Sequence, residues 1–142
     1  MKKIIPASVF LIMMLLAIFS WDLHRSTKDQ GEQLAMEDCS GCHDLTEQKI
    51  NGKGPYLWGV FNRRAASVAD FTYSEAFLAF TGSRNFSWTG ANLDTFITDP
   101  DRLIPGTAMT QSGGDSTHVM AFANMNQLDQ RRQLISYLRA LK

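Results

Sequence analysis

Both cysteines of this 142-residue chain fall in one pentapeptide, Cys39-Ser40-Gly41-Cys42-His43. The C-x-x-C-H spacing is that of a c-type haem attachment site. The physical reason is reach: on one helical turn, two thiols meet the two vinyl groups of a porphyrin and form thioethers. The next residue, His43, then directs its imidazole at the iron from the proximal side. Three other readings of the same residues are weaker. A thioredoxin-like redox pair goes with a βαβ pattern, which this sequence lacks. A structural zinc site takes four ligands, and only Cys39, Cys42 and His43 are close in sequence. A disulfide across two residues would leave His43 without a role.

The start of the chain is apolar. Residues 4–21 carry no charge, with Lys2 and Lys3 before them and Asp22, His24 and Arg25 after. This pattern is either a secretory signal peptide or a membrane anchor. The run approaches the ~20 residues that span a bilayer. No A-x-A-like cleavage site follows it, and Trp21 at its end suits a membrane interface, which favours an uncleaved anchor. The expected organisation is a signal peptide or transmembrane anchor over 1–21, a linker over 22–28 and one folded domain over 29–142. Either reading places that domain outside the cytoplasm, on the periplasmic side of the inner membrane, anchored there or soluble after cleavage. The whole chain has 14 basic and 14 acidic side chains. A net charge of zero gives no basis for nucleic-acid binding.

Within 29–142 the periodicity predicts helices joined by long loops. Thr27 and Gln30 have capping-box spacing, so a helix is expected from Lys28 to Cys39 with Gly31, Leu34 and Ala35 on one face. Residues 44–73, with Gly52, Gly54, Pro55 and Gly59, read as loop. Ser74 caps a short helix through Phe80 that Gly82 closes. Thr89 caps a helix over Gly90 to Thr98 with Leu93, Phe96 and Ile97 inward, and Pro100 ends it. Residues 110–118 form a polar loop. Asn126 caps a last helix, with Asp129 in its first turn, Arg139 in its last, and Leu134, Leu138 and Leu141 along one face. No repeat and no convincing strand is present. Loops this long in so small a domain wrap something.

A low-spin haem needs a second axial ligand, and methionine is the partner of histidine in cytochromes c. Of the 7 methionines, Met1, Met13 and Met14 lie in the apolar start and Met36 is too near the attachment site. Met109, Met120 and Met125 remain. Met109 follows Pro105-Gly106-Thr107, a proline-fixed turn that presents a side chain at low entropic cost.

Several further segments carry a family pattern in order: Gly52-Lys53-Gly54-Pro55-Tyr56-Leu57, Val60-Phe61-Asn62-Arg63, Phe71-Thr72-Tyr73-Ser74, Trp88, and Ile104 to Met109. From about Gly31 to Lys142 the chain resembles the monohaem class I c-type cytochromes, of the mitochondrial and bacterial c2 type. The resemblance implies an all-α cytochrome c fold around one covalent haem c. It implies attachment at Cys39 and Cys42, iron ligation by His43 and Met109, and a Pro55 carbonyl holding the ligand imidazole. Arg63, Tyr73, Trp88 and Thr107 match positions near the haem propionates. It also implies that the last helix crosses the first near Gly31. Phe96 stands where the family has a Tyr, Phe77 where it has a polar residue, Ala35 where it has an aromatic and Ala108 where it has a Lys. The function implied is an electron carrier rather than an enzyme. Its expected partners are a quinol–cytochrome c oxidoreductase and a terminal oxidase or reductase, with membrane attachment through the N-terminal segment. Alternatives are a haem c ligand-binding or sensor module, or the cytochrome subunit of a periplasmic dehydrogenase.

Overall fold

The computed structural model describes residues 7–111 and 128–142. Among the described residues six helices follow one another: α1 (Ala7–Asp38), α2 (Glu75–Gly82), α3 (Gly90–Thr98), α4 (Pro100–Leu103), α5 (Ala108–Gln111) and α6 (Leu128–Ala140). Among the described residues there is no strand, only an isolated antiparallel bridge between Arg64 and Ser87. The fold is all-α, as expected.

The linker expected at 22–28 is instead helical. The helix foreseen from Lys28 starts at Ala7, so α1 runs unbroken through that stretch. No Gly or Pro occurs between Ala7 and Gln30, and once a helix is nucleated each added residue gains a bond at little cost. A capping-box pair at Thr27 and Gln30 is not enough to interrupt it. Along 8–21 the side chains lie exposed, Phe10 at 71% and Trp21 at 74%. Among the described residues no helix is long and apolar enough to cross a membrane, so the expected transmembrane helix is not found.

The other half of α1 is buried. It packs across α6, with Ala35 fully buried against a core that holds Leu134, Tyr137 and Leu138. Gly31 makes this crossing possible. A Cβ there would overlap the Gln133 carbonyl oxygen and come within 3.0 Å of Tyr137 Cβ. A helix-interior glycine costs roughly 0.5–1 kcal/mol relative to alanine, and here the close approach of two backbones requires it. Gln133 Nε2 braces the crossing by donating to Gln30 Oε1 at 2.6 Å.

The caps of α2 and α3 follow the sequence. Ser74 Oγ accepts from Phe77 N at 3.3 Å, and Thr89 Oγ1 accepts from Asn92 N at 3.2 Å. Two four-residue helices were not foreseen. Pro100 ends α3 but also opens α4, where Asp99 Oδ1 accepts from Arg102 N at 3.0 Å. α5 takes up Thr110 and Gln111, the first residues of the expected polar loop. Residues 112–118 and the expected cap Asn126 lie outside the described residues. Buried Arg131 on α6 donates through Nε to the Asp94 carboxylate of α3 at 2.7 Å, joining the two helices.

Candidate functional site

The pentapeptide continues the last turn of α1. Cys39 N and Ser40 N both donate to Ala35 O, at 3.0 and 3.1 Å, and His43 N donates to Cys39 O at 2.9 Å. This wound geometry turns both thiols and the imidazole toward one side. Cys39 and Cys42 are free of each other, with no disulfide between them. Burial pushes the Cys39 thiol up to about 12, with Asp38 and Cys42 adding to the shift. The thioredoxin-like reading fails on fold, because it needs a βαβ unit and the described residues contain no strand. No cluster of metal-binding side chains of the zinc type occurs among the described residues.

His43 is held by the loop that follows. Its Nδ1 lies 2.6 Å from the Pro55 carbonyl oxygen. A carbonyl only accepts, so Nδ1 carries the proton and the Nε2 lone pair is free for a metal. Burial lowers the His43 pKa, outweighing the Pro55 hydrogen bond, and Arg63 nearby lowers it further. The ring is therefore neutral at neutral pH, as a ligand must be. The loop folds back through Gly54 N donating to Cys42 O at 2.9 Å. A Cβ on Gly54 would overlap the His43 ring. Gly54 thus sets the position of the imidazole, a role that sequence reading did not assign to it.

All of these groups border one cavity of about 330 Å³. The size falls within the ~300–1,000 Å³ of cofactor and ligand pockets. Cys39, Cys42, His43 and Pro55 form one side. Leu93, Phe96 and Ile97 of α3 and Leu134 and Leu138 of α6 give an apolar wall; of these, the sequence singled out Phe96 beyond its place on an apolar helix face. Thr107 and Met109 also border it. Thr107, 2% exposed, follows a tight turn in which its N–H donates to Ile104 O at 3.0 Å and Gly106 takes φ +80°. Met109 is half-buried on α5. Met120 and Met125 lie outside the described residues.

Arg63 and Trp88 reach the cavity together because their backbones are paired. Trp88 N donates to Arg63 O at 2.9 Å, and Asn62 N donates to Trp88 O at 3.0 Å. The Arg63 guanidinium donates to Trp58 O at 3.0 Å and Tyr56 O at 2.7 Å, and lies 4.8 Å over the Tyr56 ring. Burial lowers its pKa. A half-buried cation held by carbonyls rather than a carboxylate is arranged to meet an anionic group. The Tyr73 ring stacks on Phe77 at 5.2 Å, and its hydroxyl oxygen accepts from Val68 N at 3.3 Å. Cys39, Cys42, His43, Pro55, Arg63, Tyr73, Trp88, Thr107 and Met109 therefore all border the same cavity.

The residues present fit a covalently attached haem. Two thiols one turn apart, a neutral imidazole with a free lone pair, a thioether sulfur and a cation surround an apolar space of suitable size. An all-α domain wrapped around such a space belongs to the class of proteins built on a bound redox cofactor. No family model matches the chain. Relatives are nonetheless clear. It is 31% identical over 105 residues to cytochrome c2 of Rhodoblastus acidophilus, covering 71% of this chain and 94% of that protein. Against cytochrome c2 of Rhodospirillum rubrum it is 30% identical over 112 residues, 79% of this chain and 78% of the relative. Cytochrome c of Trypanosoma brucei brucei is 34% identical over 92 residues, 65% of this chain and 83% of the relative. The chain belongs to the cytochrome c family. It carries one covalent haem c and is an electron carrier for redox partners, not an enzyme.

Proposed function

We propose that the chain is an exported carrier in a respiratory chain, with its haem fixed by Cys39 and Cys42 and its iron held by His43 and Met109. The observation that carries the residue assignment is the 2.6 Å bond from His43 Nδ1 to the Pro55 carbonyl at the wall of the apolar cavity. When bound, the haem supplies one-electron chemistry between ferrous and ferric iron. The chain's own residues keep that change small in cost. His43 is locked in tautomer and orientation by Pro55 and Gly54. Leu93, Phe96, Leu134 and Leu138 exclude water. Arg63, Tyr73, Trp88 and Thr107 would hold the propionates, with Arg63 supplying the positive charge.

The donor is a quinol–cytochrome c oxidoreductase and the acceptor a terminal oxidase or reductase. The domain works on the periplasmic side of the inner membrane and is tethered there by residues 1–21. Support for the tether is the apolar half of α1, whose side chains along 8–21 are exposed among the described residues. Confinement near a membrane raises the effective concentration at membrane-bound partners.

For the axial methionine, the test is a pair of variants. Met109→Ala should abolish the weak ferric methionine–iron absorption band and open the reduced iron to carbon monoxide. Met120→Ala should leave both unchanged. The reverse result transfers the ligand to Met120.

A further inference from the structure

We infer that Asn51 is a positioning residue for the axial histidine: its carboxamide grips the Pro55–Tyr56 peptide group from the edge opposite His43 and so lowers the iron's midpoint potential. This rests on the carrier reading above and adds a residue that tunes it. Proline has no N–H, so Pro55 cannot be tied through its own nitrogen. The carbonyl that holds His43 is fixed instead by the peptide plane it shares with Tyr56 N. No peptide bond among the described residues is cis, so in that rigid unit the carbonyl and the N–H point opposite ways. One edge meets His43, whose Nδ1 lies 2.6 Å from Pro55 O. The other edge meets Asn51, whose Oδ1 accepts from Tyr56 N at 3.2 Å.

Asn51 is itself anchored. Its Nδ2 donates to Asp70 O at 3.2 Å. The next residue, Phe71, borders the cavity and meets Tyr73 edge-on at 4.9 Å. One side chain therefore joins the loop that holds His43 to the segment that carries Tyr73. The two partners specify an amide: Tyr56 N only donates, Asp70 O only accepts, and a carboxamide offers both functions in one place. The turn before it delivers Asn51 to this spot. The Asp44 carboxylate accepts from Thr46 N and Ile50 N at 2.9 and 2.8 Å, and Lys49 between them takes φ +56°.

Hydrogen bonds in a chain polarise one another. The Asn51 oxygen draws on the Tyr56 N–H, which makes the Pro55 carbonyl of the same peptide group a stronger acceptor for the His43 proton. An imidazole held in this way is more basic at Nε2, and a more basic ligand favours ferric over ferrous iron. Asn51 does not border the cavity; it acts through the peptide group.

The experiment uses the haem-loaded full chain and four variants. Each is measured for midpoint potential, for melting temperature and, in the reduced protein, for exchange of the His43 Nδ1 proton by NMR. Asn51→Leu, of similar volume, removes both hydrogen bonds. Its midpoint should rise, and the Nδ1 proton should exchange about tenfold faster, the scale of one lost hydrogen bond. Asn51→Ala, which introduces no bulk, should do the same. Asn51→Asp keeps an acceptor for Tyr56 N but loses the donor to Asp70 O. At neutral pH it should melt lower than wild type with no rise in midpoint. Gln133→Ala removes a side-chain bridge between α1 and α6 and should leave midpoint and exchange unchanged. Lower melting in the Asn51 variants with an unmoved midpoint, or an equal rise in Asn51→Asp and Asn51→Leu, makes Asn51 a structural brace and overturns the inference while the carrier reading stands. A wild-type chain with no titrating haem overturns the carrier reading and the inference with it.

Discussion

The two halves of α1 share one helix and have opposite fates. Along 8–21 the side chains are apolar on every face and exposed, whereas along 31–39 small residues seat the helix against α6 and hand the chain to the attachment site. Backbone continuity therefore says nothing about where the folded unit begins. Burial differs along it: among the described residues the first buried positions of α1 are Gly31 and Ala35, packed at Gln133 and Tyr137. Among the described residues, positions 8–21 contribute nothing to the core.

Breaking the crossing should have the largest effect. Gly31→Leu forces a side chain into the Gln133 carbonyl and should cost about 3 kcal/mol or more, lowering the melting temperature by on the order of 10 °C. Leu15→Ser, in the same helix, should not move it. An equal loss in both variants would mean that 8–21 belongs to the core. Ser74→Ala removes the α2 cap and should cost about 1 kcal/mol. Chemical denaturation of the haem-loaded chain reads this difference, and the cost should be additive with that of Leu15→Ser.

A smaller, pH-dependent effect is expected just beyond the attachment site. The exposed Asp44 carboxylate accepts from Ile50 N and Thr46 N at 2.8 and 2.9 Å and from the Thr46 hydroxyl, which together hold its pKa below the usual range. A depressed folded-state pKa stabilises above the unfolded value, about 3.9, and that stability is lost as pH falls through the folded value. Asp44→Asn should therefore be less stable than wild type at neutral pH, with the gap closing in acid. A gap constant with pH would contradict this. The smallest stability effect is expected from Phe10→Ser with Phe19→Ser. Melting should be unchanged, while sedimentation with lipid vesicles should fall sharply. Undiminished vesicle binding would remove the role assigned to the apolar half.

Legibility in the sequence followed the range of the interactions. α3 could be bounded because a threonine cap, an apolar face at helical spacing and a nearby proline all act within a few residues. Pro100 was read as a stop, yet the same fixed φ that ends one helix suits the first turn of the next, so α4 went unseen. The start of α1 was misplaced because local capping signals cannot outweigh a long stretch with nothing to break it. The attachment site was legible since covalent reach demands the fixed C-x-x-C-H spacing. Gly54 was not: its need to be glycine comes from the ring of His43, eleven residues earlier, and only the folded loop brings them together.

The central claim is a single haem cycling between two firmly ligated iron states in this cavity. A redox-titrated absorption spectrum of the full chain, taken with and without carbon monoxide, tests it most directly. One reversible one-electron transition, with a reduced spectrum that carbon monoxide leaves unaltered, is the predicted result. A chain that shows no titrating haem, or whose reduced form binds carbon monoxide at once, would contradict the account.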